Sequence, residues 1–351
     1  MYSVARMALK PGMELAEDVL SSTMEIILPA NTVLTEESIN KLSLYSVMCV
    51  SIKDESDYAV THFERVRCNK NYKEFERVYI NNLNAYKYMI DSFLHDQSPI
   101  NLTYLMQIHD NIAMLPRTRE QLLDWLYNML PNEDVLTYAH SLNSALVANV
   151  FGIWLGLDDE DIRLLTLSGF FYDIGKMRLP ADILWKSDKL TDEEFELMKT
   201  HTTIGYNILH KKGINERIAN ATLMHHERAD GSGYPSGLKD NEIDIFARYM
   251  AVVDSYVAMT SARSYRPALN PFEVIKNFQK IGVEKFGNWI LRPILSRIAN
   301  IHLGATVKLS NGMIGDVILI NQDALTKPLI KHGDELIDMT KIPDVEIIAI
   351  L

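Results

Sequence analysis

Cysteine is scarce in this sequence. Cys49 and Cys68 are the only two among 351 residues, too few for a disulfide framework. A reducing cytoplasm is the setting that fits. Long apolar runs are also missing: none approaches the roughly 20 residues that cross a bilayer, so membrane insertion is not expected. The opening Met1-Tyr2-Ser3-Val4-Ala5-Arg6-Met7 has no basic flank leading into an apolar segment and does not read as a signal peptide. Positive charge is the third shortage. Thirty-five Lys and Arg stand against 46 Asp and Glu, a formal net charge of −11. Polymeric nucleic acid and anionic membranes are therefore poor partners, because no counterion-release gain is on offer. A small phosphorylated ligand stays open, since bound cations invert the local potential of an acidic cleft. What remains is an ordinary folding composition, 47% hydrophobic and 23% charged, long enough for one large core with smaller appended units.

The chain predicts a mostly α protein: a helical bundle with a small α+β unit before it and a small β unit after it. Residues 1–55 form the first unit, with a turn at Pro11-Gly12 and a strand at Glu25–Leu28. Thr35 caps a helix there, and a further strand lies within Leu44–Ile52. It carries no catalytic chemistry and reads as a regulatory or interaction module. Residues 56–133 read as a helical linker region. Within it, Phe75, Tyr79, Leu83, Tyr86, Ile90 and Phe93 recur every three or four positions, an amphipathic helix packed on its own domain. A homodimer seam is the alternative use of that face. His95 and His109 sit in polar surroundings and read as bystanders.

Residues 134–300 carry the chemistry. Leu136–Leu155 is helix-periodic and holds His140 on a face with Ser144 and Val147. Asp158-Asp159-Glu160 opens another helix leading to Phe170-Phe171-Tyr172-Asp173-Ile174-Gly175-Lys176. An Asp among Phe, Tyr and Ile needs a cation or strong donors. Thr191-Asp192-Glu193-Glu194 is a capping box for a helix that should present Leu197, His201, Ile204 and Ile208 inward. His225-His226-Glu227 precedes a glycine-rich turn, Asp230-Gly231-Ser232-Gly233-Tyr234-Pro235, where a helix must end. Asp254 is the one acid in the apolar helix Ala247–Met259. Taken singly, each is a polar loop, a satisfied core histidine or a salt-bridged acid. Converging in a bundle, imidazoles and carboxylates make a donor set for iron or manganese rather than thiolate zinc. Residues 301–351 change to a β pattern, with a hairpin around Asn311-Gly312 and short strands at Glu335–Asp338 and Val345–Leu351. His302 and His332 are expected on its surface.

In order, these motifs resemble the HD-GYP family of HD-superfamily metal phosphohydrolases, whose characterised members hydrolyse cyclic di-GMP. The resemblance covers approximately residues 134–270 and includes His140-Ser141, Asp173-Ile174-Gly175-Lys176, Lys199-Thr200-His201, His225-His226-Glu227, Gly233-Tyr234-Pro235, Asp254 and Arg263-Ser264-Tyr265-Arg266. It implies one metal on His140, Asp173 and Asp254, and a second on His201, His225 and His226 with Asp173 bridging. It implies catalytic roles for Asp173 and Lys176, with Lys176 on a phosphate. Gly233, Tyr234, Pro235, Arg263 and Arg266 would line the nucleotide side. Three positions depart from the pattern. Tyr172 stands where the family's eponymous histidine belongs, Val257 replaces an acid, and Leu136 replaces a glutamate found in some members. A phenol is a poor ligand, so Tyr172 weakens or empties the first site. The expected function is a cyclic di-GMP phosphodiesterase giving pGpG or GMP, holding one or two ions and answering to signalling partners. The alternatives are a degenerate member that binds cyclic di-GMP or a protein without turnover, and a phosphohydrolase for another nucleotide.

Overall fold

The structure is a computed structural model and describes residues 2–21, 25–53, 62–95, 99–130, 135–184, 186, 188–261 and 268–351. It opens with β1 (Tyr2–Ala5), β2 (Val19–Leu20), β3 (Ile26–Leu28), α1 (Glu36–Leu44) and β4 (Cys49–Ile52). β1 pairs antiparallel with β4, and β2 with β3. The expected cap is present: Ser38 N donates to Thr35 Oγ1 and Thr35 N to Ser38 Oγ, closing a reciprocal box. Leu15, Leu34, Leu42 and Val50 fill a separate small core.

Helices follow: α2 (His62–Cys68), α3 (Lys70–His95), α4 (Leu102–Ala113), α5 (Arg119–Tyr127), α6 (Leu136–Trp154) and α7 (Asp159–Phe171). The predicted stripe of α3 is buried from Phe75 to Phe93, each such side chain contributing about 1.5–3 kcal/mol of burial. Its phenols are satisfied on the bundle. Tyr79 donates to Asn143 Oδ1 at 2.7 Å, and Tyr86 donates to the Phe170 carbonyl. The helices of 62–130 thus share one hydrophobic core with those that follow.

The remaining elements are α8 (Ala181–Leu184), α9 (Asp192–Lys199), α10 (His201–Lys211), α11 (Glu216–Met224), α12 (Ile245–Thr260), α13 (Pro271–Phe286) and α14 (Asn288–Ile301). The chain ends in β5 (Thr306–Leu309), β6 (Ile314–Leu319), β7 (Leu329–His332), β8 (Glu335–Asp338) and β9 (Ile347–Ile350). These five strands make an antiparallel sheet in the order β8-β7-β6-β5-β9. Val307, Val317 and Ile330 join it to the bundle's core.

Four expectations are corrected. The single helix expected from Thr191 through Ile208 is two. Thr200 Oγ1 donates to Leu197 O at 2.6 Å and His201 Nδ1 lies 2.7 Å from Met198 O, so side chains take carbonyls that the next turn would use. Leu197, expected inward, is exposed. His109 is buried against Asp110, and His302 is packed at the junction of α14 with the sheet, where burial pushes its imidazole down to about 4.

Candidate metal centre

Four helix ends meet at one point. α7 stops at Phe171, Tyr172 caps it, and Asp173 leads into a tight 3-10 segment, Ile174–Arg178. His201 is the first residue of α10, and His225 caps α11. Gly175 lets these pieces touch. A Cβ there would sit 1.9 Å from the His201 carbonyl oxygen and 2.7 Å from Gly205 N, so no larger residue admits α10 so close. At the end of α11, His225 N still donates to Ala221 O, and the chain then leaves the helical path. The neighbouring rings of His225 and His226 therefore enter the same pocket, with centroids 4.1 Å apart.

The ligand-capable atoms of Asp173, His201, His225 and His226 all lie within 4.8 Å of one another. Asp173 Oδ1 is 3.4 Å from His201 Nε2 and 3.7 Å from His225 Nε2, and the two Nε2 atoms are 3.4 Å apart. That is the spacing of donors around one ion with bonds of about 2.0–2.2 Å. His201 Nδ1 faces Met198 O at 2.7 Å and His225 Nδ1 faces Thr222 O at 2.9 Å. Each Nδ1 is placed to donate to a carbonyl, which leaves each Nε2 as the lone-pair end. Asp173 Oδ1, buried between them, has no hydrogen-bond partner. Lone pairs converging on an orphaned carboxylate oxygen in a buried pocket fit a cation.

Electrostatics agree. Burial, then the Lys176 charge, pushes His201 down to about 3, and burial holds His226 well below the usual imidazole range. Both imidazoles are neutral at physiological pH. Burial alone would raise the Asp173 carboxyl. Lys176, whose Nζ is 2.7 Å from Oδ2, outweighs it and holds Asp173 ionised.

A second group shares Asp173 and differs in kind. His140, from α6, places Nε2 3.0 Å from Asp254 Oδ1 and 3.9 Å from Asp173 Oδ2. Tyr172 lies where the resemblance calls for a third ligand ring. Its hydroxyl is 3.2 Å from Asp254 Oδ1 and 3.1 Å from Ser144 Oγ. Burial, followed by the Asp173 and Asp254 charges, raises this phenol well above its ordinary value. It keeps its proton and donates it to Asp254. Burial opposes ionisation of Asp254 too, but the His140 hydrogen bond outweighs it and carries its pKa far below the carboxylate range. In this group the acid already has donors.

At the rim, the Tyr234 ring lies over His226, with centroids 4.6 Å apart. Gly233 and Pro235 flank it, and Lys176 stands on Asp173. Val257 is buried on α12 and Leu136 begins α6. Arg263 and Arg266 lie outside the described residues. Three residues at the site went unassigned from sequence. Glu227 accepts from Ser236 N at 2.7 Å and Leu238 N at 2.9 Å, closing the glycine-rich loop. Lys199 reaches the Tyr234 ring, and Ser144 pairs with Tyr172. Lys199 and Glu227 stood inside the family motifs without a role, and Ser144 lay one turn beyond His140 on the same face.

Helix ends that gather histidines around an acid at the close of α7 define an HD domain, and the family model described as "HD domain" matches residues 124–288. A cyclic di-GMP phosphodiesterase of Thermotoga maritima is 31% identical over 285 residues, covering 77% of this chain and 76% of that protein. A second, from Pseudomonas aeruginosa, is 34% identical over 203 residues, 58% of this chain and 49% of the relative. The chain thus spans about half the length of one relative and three quarters of the other. A solved HDGYP protein from Bdellovibrio bacteriovorus shares the fold at a TM-score of 0.54 and 15% identity, over 84% of this chain and 98% of its own. The chain belongs to the HD-GYP family.

Proposed function

We propose that the chain is a metal-dependent phosphodiesterase that opens cyclic di-GMP to pGpG or GMP. The observation that carries this reading is the orphaned Asp173 Oδ1 among the Nε2 ends of His201 and His225, beside His226, with a lysine ammonium on the same carboxylate. The relatives' names support the substrate class. His201, His225, His226 and Asp173 would hold one ion, and His140 and Asp254, sharing Asp173, a second. Nitrogen and oxygen donors without thiolate suit iron or manganese. When bound, the metal would supply Lewis acidity and lower the pKa of an attacking water.

The chain's own groups do the rest. The Met198 and Thr222 carbonyls fix the tautomer and aim of two imidazoles. Lys176 offers a compact cation to a phosphate oxygen once its hold on Asp173 is relieved. Gly233, Tyr234 and Pro235 shape the rim, with Arg263 and Arg266 on the nucleotide side. In this reading 134–300 is the catalytic domain, 56–133 joins it to the N-terminal unit, and the units 1–55 and 301–351 take signals or protein partners. Two cysteines outside any disulfide favour a cytoplasmic setting, and no described helix is long and apolar enough to cross a membrane.

A second reading has its own observation, the Tyr172 phenol donating to Asp254. On it, the chain holds a single ion and binds the cyclic dinucleotide or a partner without turnover. One experiment separates the two. The protein is purified anaerobically, its iron and manganese counted, and cyclic di-GMP followed by chromatography, with a second cyclic dinucleotide run beside it. Appearance of pGpG or GMP supports the first reading. Tight binding with one ion and no product supports the second, and cleavage of the other nucleotide alone shifts the substrate.

A further inference from the structure

The three histidines of the larger group are not held alike. His201 and His225 each have Nδ1 against a carbonyl of the preceding turn, at 2.7 and 2.9 Å. His226 has no ring-nitrogen hydrogen bond among the described residues. Its ring is held by other rings: His225 tilted 44° at 4.1 Å, His201 edge-on at 5.1 Å, and Tyr234, alone stacked on its face, at 4.6 Å with planes 24° apart. A stacked pair at this separation has a preferred orientation and contributes beyond its buried area.

The loop is built to keep Tyr234 there. Its N–H donates to the His226 carbonyl at 3.2 Å. A Cβ on Gly233 would meet Glu227 Cα at 2.4 Å, and Arg228 N and His226 O at 2.5 Å, all backbone, so only glycine lets the loop fold back this closely. Glu227 fastens the far leg through Ser236 N and Leu238 N. From the solvent side α9 braces the ring. Phe195 meets it edge-on at 6.3 Å and 80°, and the Lys199 ammonium lies 4.9 Å from the Phe195 centroid and 5.6 Å from that of Tyr234.

We infer that Tyr234 is a positioning residue for the His226 imidazole, its ring doing for this ligand what the Met198 and Thr222 carbonyls do for the other two. The inference rests on the reading of His226 as a metal ligand. It moves the tyrosine of the Gly-Tyr-Pro turn from the nucleotide side of the cleft to the support of the metal. It also says which part of the residue matters: the ring, not the hydroxyl.

The test uses the full chain, stripped of metal and titrated with Mn2+. Tyr234→Phe should bind as the parent does, and Tyr234→Leu should bind about 10- to 100-fold more weakly, the usual cost of losing a ligand's support. Pulsed EPR of the Mn2+-loaded leucine variant should show one fewer histidine nitrogen coupling. Parental Mn2+ affinity in Tyr234→Leu, with only KM for cyclic di-GMP raised, overturns the inference and returns Tyr234 to the substrate. Should the leucine variant not fold, Phe195→Ala, at an exposed position of α9, serves in its place: weakened Mn2+ binding supports the brace and parental binding overturns it. His226→Ala separates the two layers of argument. If it binds Mn2+ as the parent does, the ligand assignment falls and the inference with it.

Discussion

Two groups of side chains meet at Asp173, one gathered from helix ends and one from the bodies of α6 and α12, and they differ in what they leave unsatisfied. Around His201 and His225, every second nitrogen already donates to a carbonyl, so the pocket is filled with lone pairs and an acid oxygen that nothing serves. Around Asp254, His140 and the Tyr172 hydroxyl both supply donors, and Ser144 completes the chain of contacts. The first group leaves acceptors that a cation would satisfy. The second has its acid already paired. A single residue makes the difference, because a phenol that retains its proton satisfies an acid where an imidazole would compete for a metal.

Asp173→Asn should have the largest effect, since both groups use that carboxylate. Metal content should fall towards zero, and any hydrolysis should drop about a thousandfold or more, several kcal/mol of lost transition-state stabilisation. Elemental analysis with a cyclic di-GMP assay reads both, and full metal retention would break the idea of a shared ligand. Next comes Tyr172→His, which should make the second group resemble the first. Bound metal per chain should rise above the parent's, with hydrolysis rising alongside. If metal content and rate both match the parent, the phenol is not what separates the groups.

Acid should also tell the groups apart. The His201 value of about 3 in the folded chain lies below its ordinary 6.5, so the unfolded state takes up a proton that the folded state refuses. Stability tied to this group is present above about pH 6.5 and is lost as pH falls towards 3. The depressed pKa of Asp254 contributes in the same direction, but its loss starts only below the ordinary carboxylate range, near 4. Urea midpoints of the metal-free chain should therefore begin to fall near pH 6.5. In His201→Gln that first decline should shrink and the steeper one below pH 4 remain. An unchanged profile in the variant would remove His201 from the acid response.

How much of this is legible in sequence follows from how local each feature is. Helix stripes such as Phe75 to Phe93, and caps such as Thr35, Asp158 and Thr191, are fixed by neighbours within a few residues. So is the ending of α11 at His225, which the glycine-rich turn announces. Family motifs carried the grouping of the histidines, since no periodicity links residue 140 to residue 254. What stayed hidden depends on distant partners or on competition between side chains. The break at Thr200 comes from a threonine and a histidine taking helix carbonyls. The depths of His109 and His302 are set by packing against other elements, which composition does not encode. β7 escaped notice because its run after Pro328 is short and reads as a strand only once β6 and β8 flank it.

The smallest expected effect concerns Ser144 and bears most directly on why the second group is self-sufficient. Its hydroxyl is fully buried and 3.1 Å from Tyr172 Oη, which in turn is 3.2 Å from Asp254 Oδ1. Ser144→Ala removes one partner of the phenol and leaves its donation to Asp254 intact. The cost should be that of a single neutral hydrogen bond, about 1 kcal/mol, seen as a drop of about 1–2 °C in Tm. Metal content should not change, because the serine supports a donor and not a ligand. In the Tyr172→His background the serine would instead face an imidazole, and its loss should disturb the second ion. A Ser144→Ala protein that loses metal while Tyr172 is still present would show that the hydroxyl chain feeds the three-histidine pocket after all, and the two groups would have to be treated as one.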